Sequence, residues 1–241
     1  ELFTEYDVDH IIRIGSAGSY TTDLTLGDVL IVKDAWSDSS FAKAHNLDNS
    51  EIQTPSQMLF NRCVDIAKQH PKAIILREKD LSEDAYKSLA MQVMEICRCY
   101  DTSCILHSHI DVAIELGANA IHMPVNILTQ MSLEQKSRFK EIGASCHSVE
   151  EATLAEKLGC SYIIAGHIYA TDCKKGVPPR GITFLEKVCK AVNIPVYAIG
   201  GIDESKVIEL KHSGAKGACV MSGLMTCENK ANYFKGFTTQ F

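Results

Sequence analysis

A chain of 241 residues, 46% hydrophobic and 22% charged, is long enough for one α/β barrel or two small domains with full cores. Its net charge of -6 argues against a nucleic-acid partner, and no apolar run is long enough to span a membrane. The ten cysteines form no C-x-x-C pair and no zinc-like spacing, so they read as reduced thiols of a cytoplasmic protein. The start at Glu1 has neither the charged nor the apolar region of a signal peptide and suggests a truncated N terminus.

Taken in order, the chain opens with HIIRI, a β-branched run broken by a flexible GSAG turn, followed by the strand-like DVLIVK. An arginine leading into Gly-Ser-Ala-Gly can present a guanidinium and backbone N–H groups to an anion; on spacing alone a plain glycine turn between two strands is the simpler reading. The stretch IIRIGSAGSYTTDLTLGDVLIV resembles the trimeric/hexameric purine nucleoside phosphorylases. That resemblance extends through a helix around Gln57–Gln69 and places Arg13 and Ser16 at phosphate and ribose. The later ribose- and base-holding motifs of that family are absent, so a working phosphorylase is not expected. Residues 1–69 are read as a nucleoside-phosphorylase-like fragment and residues 70–241 as a separate barrel unit.

From about His70 strands and helices alternate. KAIILRE is a strand, and Ser82 caps an amphipathic helix whose apolar residues are Leu89, Val93, Ile96 and Cys97. SCILHSH (strand), IDVAIELG (helix), ANAIHMP (strand), MSLEQKSRFKEIG (helix), ASCHS (strand) and VEEATLAEKLG (helix) follow. SYIIAGH, the FLEKVCKAV helix, IPVYAIGG, the DESKVIELKHSG helix and KGACVMSG complete the run. Strands apolar on both faces with short links predict a parallel sheet covered by helices, a TIM (β/α)8 barrel. Seven strands fall between Lys72 and Gly223. The eighth would have to come from HIIRI or DVLIVK, an atypical N-terminal α/β segment in place of the usual first strand and helix.

Barrel active sites form at the C-terminal ends of the strands. Those ends carry Arg77 and Lys79, His107 and His109, His122, Ser145 and His147, and His167 followed by Thr171, Lys174 and Lys175. The last two carry the pairs Gly200–Gly201 and Ser222–Gly223. Two small-residue turns beside a basic loop, GHIYATDCKKGVPPRG, predict a phosphate held on backbone N–H groups. His147 sits at the rim, between a short strand and a helix start, where an imidazole can accept and return a proton. A histidine metal cluster is disfavoured, because no acidic co-ligand is placed beside it.

LREKD, GASCHSVEEA, GHIYATDCKKGVPPRG, IPVYAIGGI and GACVMSG together resemble the thiamine phosphate synthase/TenI superfamily, from about Lys72 to Cys227. The long loop is closest to the TenI-type thiazole tautomerases. The resemblance implies a (β/α)8 barrel, His147 as catalytic acid/base, and glycine-rich loops holding the ethyl phosphate of a thiazole. Substrate contacts are expected from Arg77, Lys79, His122, Ser145, His167, Thr171, Lys174, Gly200, Gly201, Ser222 and Gly223. The implied reaction is tautomerisation of a carboxythiazole ethyl phosphate to its aromatic form, with no cofactor and no metal.

The sibling activity, thiamine phosphate synthase, joins a pyrimidine diphosphate to thiazole phosphate with magnesium. Its pattern has an Asn-Asp pair and a further Asp where this chain reads His107-Ser108 and Met123–Ile127, while Arg77 and Lys79 match its diphosphate side. The tautomerase is therefore the leading expectation, and magnesium-dependent synthase the alternative. A non-catalytic binder or an inactive fusion remnant is the further alternative. The expected partner is a small thiazole phosphate, with no nucleic acid and no membrane; a homo-oligomer is left open.

Overall fold

Seven parallel strands stand side by side in sequence order in the computed structural model, which describes residues 63–79, 81–227 and 229–238. They are β1 (Ala73–Leu76), β2 (Ser103–His107), β3 (Ala120–Pro124), β4 (Glu141–Cys146), β5 (Tyr162–Gly166), β6 (Val196–Ile199) and β7 (Gly217–Cys219). Among the described residues each pairs only with its sequence neighbours, and helices cover the connections. This is the curled parallel sheet of a TIM-like barrel, as the alternation of elements predicts. Among the described residues β1 and β7 pair on one side only. The candidate closing strands HIIRI and DVLIVK, with Arg13 and Ser16, lie outside the described residues.

Alternation along each strand separates two cores. Leu106, Ile121, Met123, Ala144, Ile163 and Ala198 face outward into the main cluster, with Leu89, Val93, Ala152, Leu185 and Leu210 of the helices. Ile105, Ala120, Tyr162 and Ile164 form a second cluster, packed with Ile75, Tyr197 and Cys219. That second cluster is the barrel lining, which is why the strands read as apolar on both faces.

The first long helix shows how the local code works. In α1 (Glu83–Cys99), the Ser82 hydroxyl accepts from the Ala85 N–H at 3.3 Å, and Glu83 and Asp84 occupy the first turn. Tyr86, Leu89, Ala90, Val93, Ile96 and Cys97 form its buried stripe. Removing a cap of this type costs about 1 kcal/mol.

The helices after α1 in the chain are α2 (Ile110–Glu115), α3 (Val125–Leu128), α4 (Leu133–Ser137), α5 (Val149–Lys157), α6 (Gly181–Ala191), α7 (Val207–His212), α8 (Ser222–Thr226) and α9 (Lys230–Thr238). One expectation needs correction. MSLEQKSRFKEIG is not one helix: α4 covers only Leu133–Ser137, and β4 begins at Glu141. The Lys140 and Glu141 N–H groups both donate to the Asn119 carbonyl, and the ladder from Ala120↔Glu141 to Pro124↔Ser145 then draws the chain into the sheet. The DESKVIELKHSG helix likewise starts as a 3-10 turn (Glu204–Lys206) before α7. Helices α3, α8 and α9 have no counterpart in the sequence reading. No described helix is long and apolar enough to cross a membrane.

Candidate active site

The strand ends meet at one rim, and a tyrosine sets the spacing of its first part. The Tyr86 hydroxyl of α1 donates to the Leu76 carbonyl at 2.9 Å and accepts from the His107 N–H at 3.0 Å. One hydroxyl thus stands between β1 and β2 where their ladder ends at Leu76↔Leu106. It ties the backbone just before Arg77 and Lys79 to the strand end that carries His107 and His109. The Tyr86 ring stacks on His109, with ring centroids 3.9 Å apart, and the His109 Nε2–H donates to the Glu78 carbonyl at 3.2 Å. Burial pushes the Tyr86 hydroxyl well above the ordinary phenol range, so it stays protonated.

Further along, His107 and His122 are paired across β2 and β3, with ring centroids 5.7 Å apart. His107 Nδ1 bonds the Ser108 hydroxyl at 2.7 Å. His122 bonds Ser145 Oγ at 2.7 Å through Nε2, and the Tyr162 hydroxyl at 3.2 Å through Nδ1. Burial lowers His107 to about 2, helped by His122, Arg77, Lys79 and His109; burial, then Arg77, lowers His122 to about 3. Both rings are therefore neutral at physiological pH; Arg77 stands close enough to oppose the charging of either, and Lys79 that of His107. With both nitrogens engaged, His122 offers no free ring nitrogen.

His147 follows directly on β4. Its Nδ1–H donates to the Gly166 carbonyl at the end of β5, at 2.7 Å. Its backbone N–H is held by the Glu151 carboxylate of α5, while the Ser148 hydroxyl accepts from the Glu151 N–H at 3.1 Å. The ring is half-buried. Committing Nδ1–H to a carbonyl leaves Nε2 with its lone pair, the arrangement a general base needs.

The glycine-rich loop closes over the β5–β6 side. Arg180 and Gly181 donate their N–H groups to the carbonyls of His167 and Ile168, both at 3.0 Å, which pinches residues 167–181 into a closed excursion. Buried His167 reaches the Val177 carbonyl at 3.3 Å, and Thr171 caps the 3-10 turn Asp172–Lys174. Lys174 and Lys175 are exposed along the excursion and Arg180 at its root. The root of this loop rests on Gly200 and Gly201, with φ of 99° and 63°. A Cβ on Gly200 would stand 2.3 Å from His167 Cβ, and one on Gly201 would stand 2.2 Å from the Ala170 carbonyl oxygen. The glycine pair is thus already required by backbone packing, whatever anion it also faces. Ser222 and Gly223 open α8 after β7, with the Tyr233 hydroxyl against Gly223.

Residues 49–224 match the family model described as thiamine monophosphate synthase. The chain belongs to this family. Membership makes it an enzyme-family member of thiamine biosynthesis. Residues 1–90 also match the phosphorylase superfamily, as the N-terminal resemblance implies. A thiamine-phosphate synthase of Caldanaerobacter subterraneus subsp. tengcongensis is 34% identical over 176 residues, covering 70% of this chain and 80% of the relative. One from Fusobacterium nucleatum subsp. nucleatum is 33% identical, covering 69% and 82%. A thiamine phosphate pyrophosphorylase structure from Pyrococcus furiosus superposes with a TM-score of 0.61 at 29% identity, covering 72% of this chain and 85% of that one. The names of these thiamine monophosphate synthase relatives agree with the synthase alternative of the sequence reading, not with its leading tautomerase.

Magnesium, which the synthase pattern implies, finds a poor donor set in this family member. Ser108 is bonded to His107, and Met123, Pro124, Val125 and Ile127 carry no side-chain oxygen. Asn126, the one oxygen-bearing side chain of that stretch, is exposed. Among the described residues no group of three His, Cys, Asp or Glu side chains is placed to hold an ion.

The structure brings Arg77, Lys79, His122 and Ser145 into one neighbourhood around His107. Lys174 and Thr171 lie out along the loop. Sequence reasoning missed Tyr86 and Tyr162, and met Ser108 only as a replaced magnesium position. Only Ser108 had a signal, its place in the strand-end triplet His-Ser-His; the tyrosines reach the site across the fold.

Proposed function

We propose that this family member is a thiazole tautomerase, converting a dihydrothiazole carboxylate ethyl phosphate to the aromatic carboxythiazole. The observation that carries the reading is the pairing of a base with a site poor in metal-binding oxygen. His147 has Nε2 available with its tautomer set by Gly166, while the two synthase magnesium positions read His107-Ser108 and Met123–Ile127.

The reaction needs no more than that pairing supplies. One proton leaves a ring carbon and its C–H electron pair enters the ring, while the exocyclic C=C bond opens as its carbon takes up a proton. Aromatisation drives it, so the protein has only to orient the ring and move protons. His147 Nε2 takes the proton and, as the imidazolium, returns one; the Nδ1–H bond to a carbonyl stabilises the charged intermediate state of that ring. Arg77, Lys79 and the Gly200–Gly201 and Ser222–Gly223 turns serve the substrate's anionic groups. His167, Thr171 and Lys174 shape the loop beside them.

The second reading, thiamine phosphate synthase, is favoured by the relatives' names and by Arg77 and Lys79 in LREKD. The two separate in one experiment. The protein is given the dihydrothiazole substrate with a chelator, and in parallel thiazole phosphate with pyrimidine diphosphate and magnesium. Turnover in the first mixture alone supports the tautomerase; turnover in the second alone replaces it with the synthase.

A further inference from the structure

Tyr162 has no place in the mechanism above, yet its hydroxyl is joined to the candidate site. Its ring lies over β4 at the point where the strand has Gly143, and a Cβ there would stand 2.1 Å from Tyr162 Cζ. That opening lets the phenol of β5 pass β4 and reach His122 on β3, with the two rings 5.6 Å apart and inclined at 25°. A three-member chain results: Tyr162 hydroxyl to His122 Nδ1 at 3.2 Å, and His122 Nε2 to Ser145 Oγ at 2.7 Å.

The direction of the hydrogens follows from accounting. His122 is neutral and carries one ring hydrogen. If Nδ1 held it, the phenol would accept, and its own hydrogen would have no acceptor among the described residues, at a side chain only 8% exposed. A buried donor left unmatched is costly. If Nε2 holds it, the phenol donates to Nδ1, Nε2–H donates to Ser145 Oγ, and every buried group is satisfied. The one uncommitted hydrogen then belongs to Ser145, which is half-buried at the rim two positions before His147.

We propose that Tyr162 is a positioning residue that fixes His122 as the Nε2–H tautomer and thereby turns the Ser145 hydroxyl hydrogen toward an anionic oxygen of the ligand. That oxygen belongs to the ring carboxylate of the thiazole; this assignment, but not the tautomer, rests on the tautomerase reading. The relay is held by shape as well as by bonds, because only a glycine at position 143 admits the tyrosine.

Two measurements test it. In protein labelled with ¹⁵N-histidine, the nitrogen spectrum should show His122, identified by its loss in His122→Gln, as Nε2–H with an acceptor Nδ1. Tyr162→Phe, which keeps the ring, should convert it to a mixture of tautomers. An Nδ1–H tautomer in the wild type, or an unchanged tautomer in Tyr162→Phe, overturns the proposal. Calorimetry then compares the aromatic carboxythiazole phosphate with the same compound lacking the carboxylate. The wild type should favour the carboxylated ligand, and Ser145→Ala and Tyr162→Phe should each lose about tenfold of that preference. A preference that survives in both variants overturns the carboxylate assignment. A wild type that binds neither compound contradicts the tautomerase reading instead, and the nitrogen spectrum still decides the relay.

Discussion

His147 Nδ1 lies 2.7 Å from the Gly166 carbonyl oxygen, although the two residues are 19 positions apart on neighbouring strands. The bond joins the ends of β4 and β5 and decides which nitrogen of the imidazole is left to do chemistry. A side chain that keeps a donor there but cannot shuttle protons isolates that function. His147→Gln is therefore expected to bind the aromatic product about as well as the wild type, while turnover falls by about 10²–10⁴-fold. Calorimetry and absorbance kinetics on the same preparation check both halves.

The two buried histidines make acid stability a readout of the site. Their folded values, about 2 for His107 and about 3 for His122, lie below the ordinary 6.5, chiefly through burial. Well above the unfolded value of about 6.5 neither folded nor unfolded rings are protonated, and they contribute no pH dependence. Below it the unfolded chain takes up protons that the folded chain refuses, so stability falls as pH falls, until the folded rings also charge. The slope from the pair is up to about 2.7 kcal/mol per pH unit. Urea titrations at about pH 7 and about pH 5 should show the loss, and His122→Gln should reduce its slope by about half.

Tyr86→Phe removes one oxygen and strands two partners, the Leu76 carbonyl and the His107 N–H. A loss of about 1–3 kcal/mol is expected in denaturant unfolding. Because the hydroxyl ties the strand end leading into Arg77 and Lys79 to that of His107, the variant should also weaken binding of an anionic ligand, measured by titration with inorganic phosphate.

Gly143→Ala adds one methyl group 2.1 Å from the Tyr162 ring carbon, deep in the barrel lining. Overpacking of this kind costs about 1–3 kcal/mol. The thermal midpoint should drop, and Gly143→Ala combined with Tyr162→Ala, which vacates the space, should be less destabilised than the sum of the two single variants.

Much of this was legible in the chain because the signals are local. Ser82 and the stripe from Leu89 to Cys97 fix α1, and seven apolar runs with short links fix the sheet. Strand-end positions alone delivered His107, His122, Ser145 and His147 to one rim. What local pattern could not carry is pairing across the fold. Lys140 and Glu141 look like the tail of a helix until Asn119 captures both their N–H groups. Tyr162 reads as one more apolar strand residue, because its partner His122 is 40 positions away and the space between them depends on Gly143. The glycine pair after β6 was legible as a special turn, but its contact with His167 and Ala170 was not.

The most direct test of the central claim is the initial rate of aromatisation of the dihydrothiazole carboxylate phosphate, followed by ultraviolet absorbance in chelator-treated buffer. Turnover well above the uncatalysed rate, unchanged by added magnesium and largely lost in His147→Gln, is the predicted result. No rate above background, with thiamine phosphate formed from the two phosphorylated precursors when magnesium is added, would contradict it.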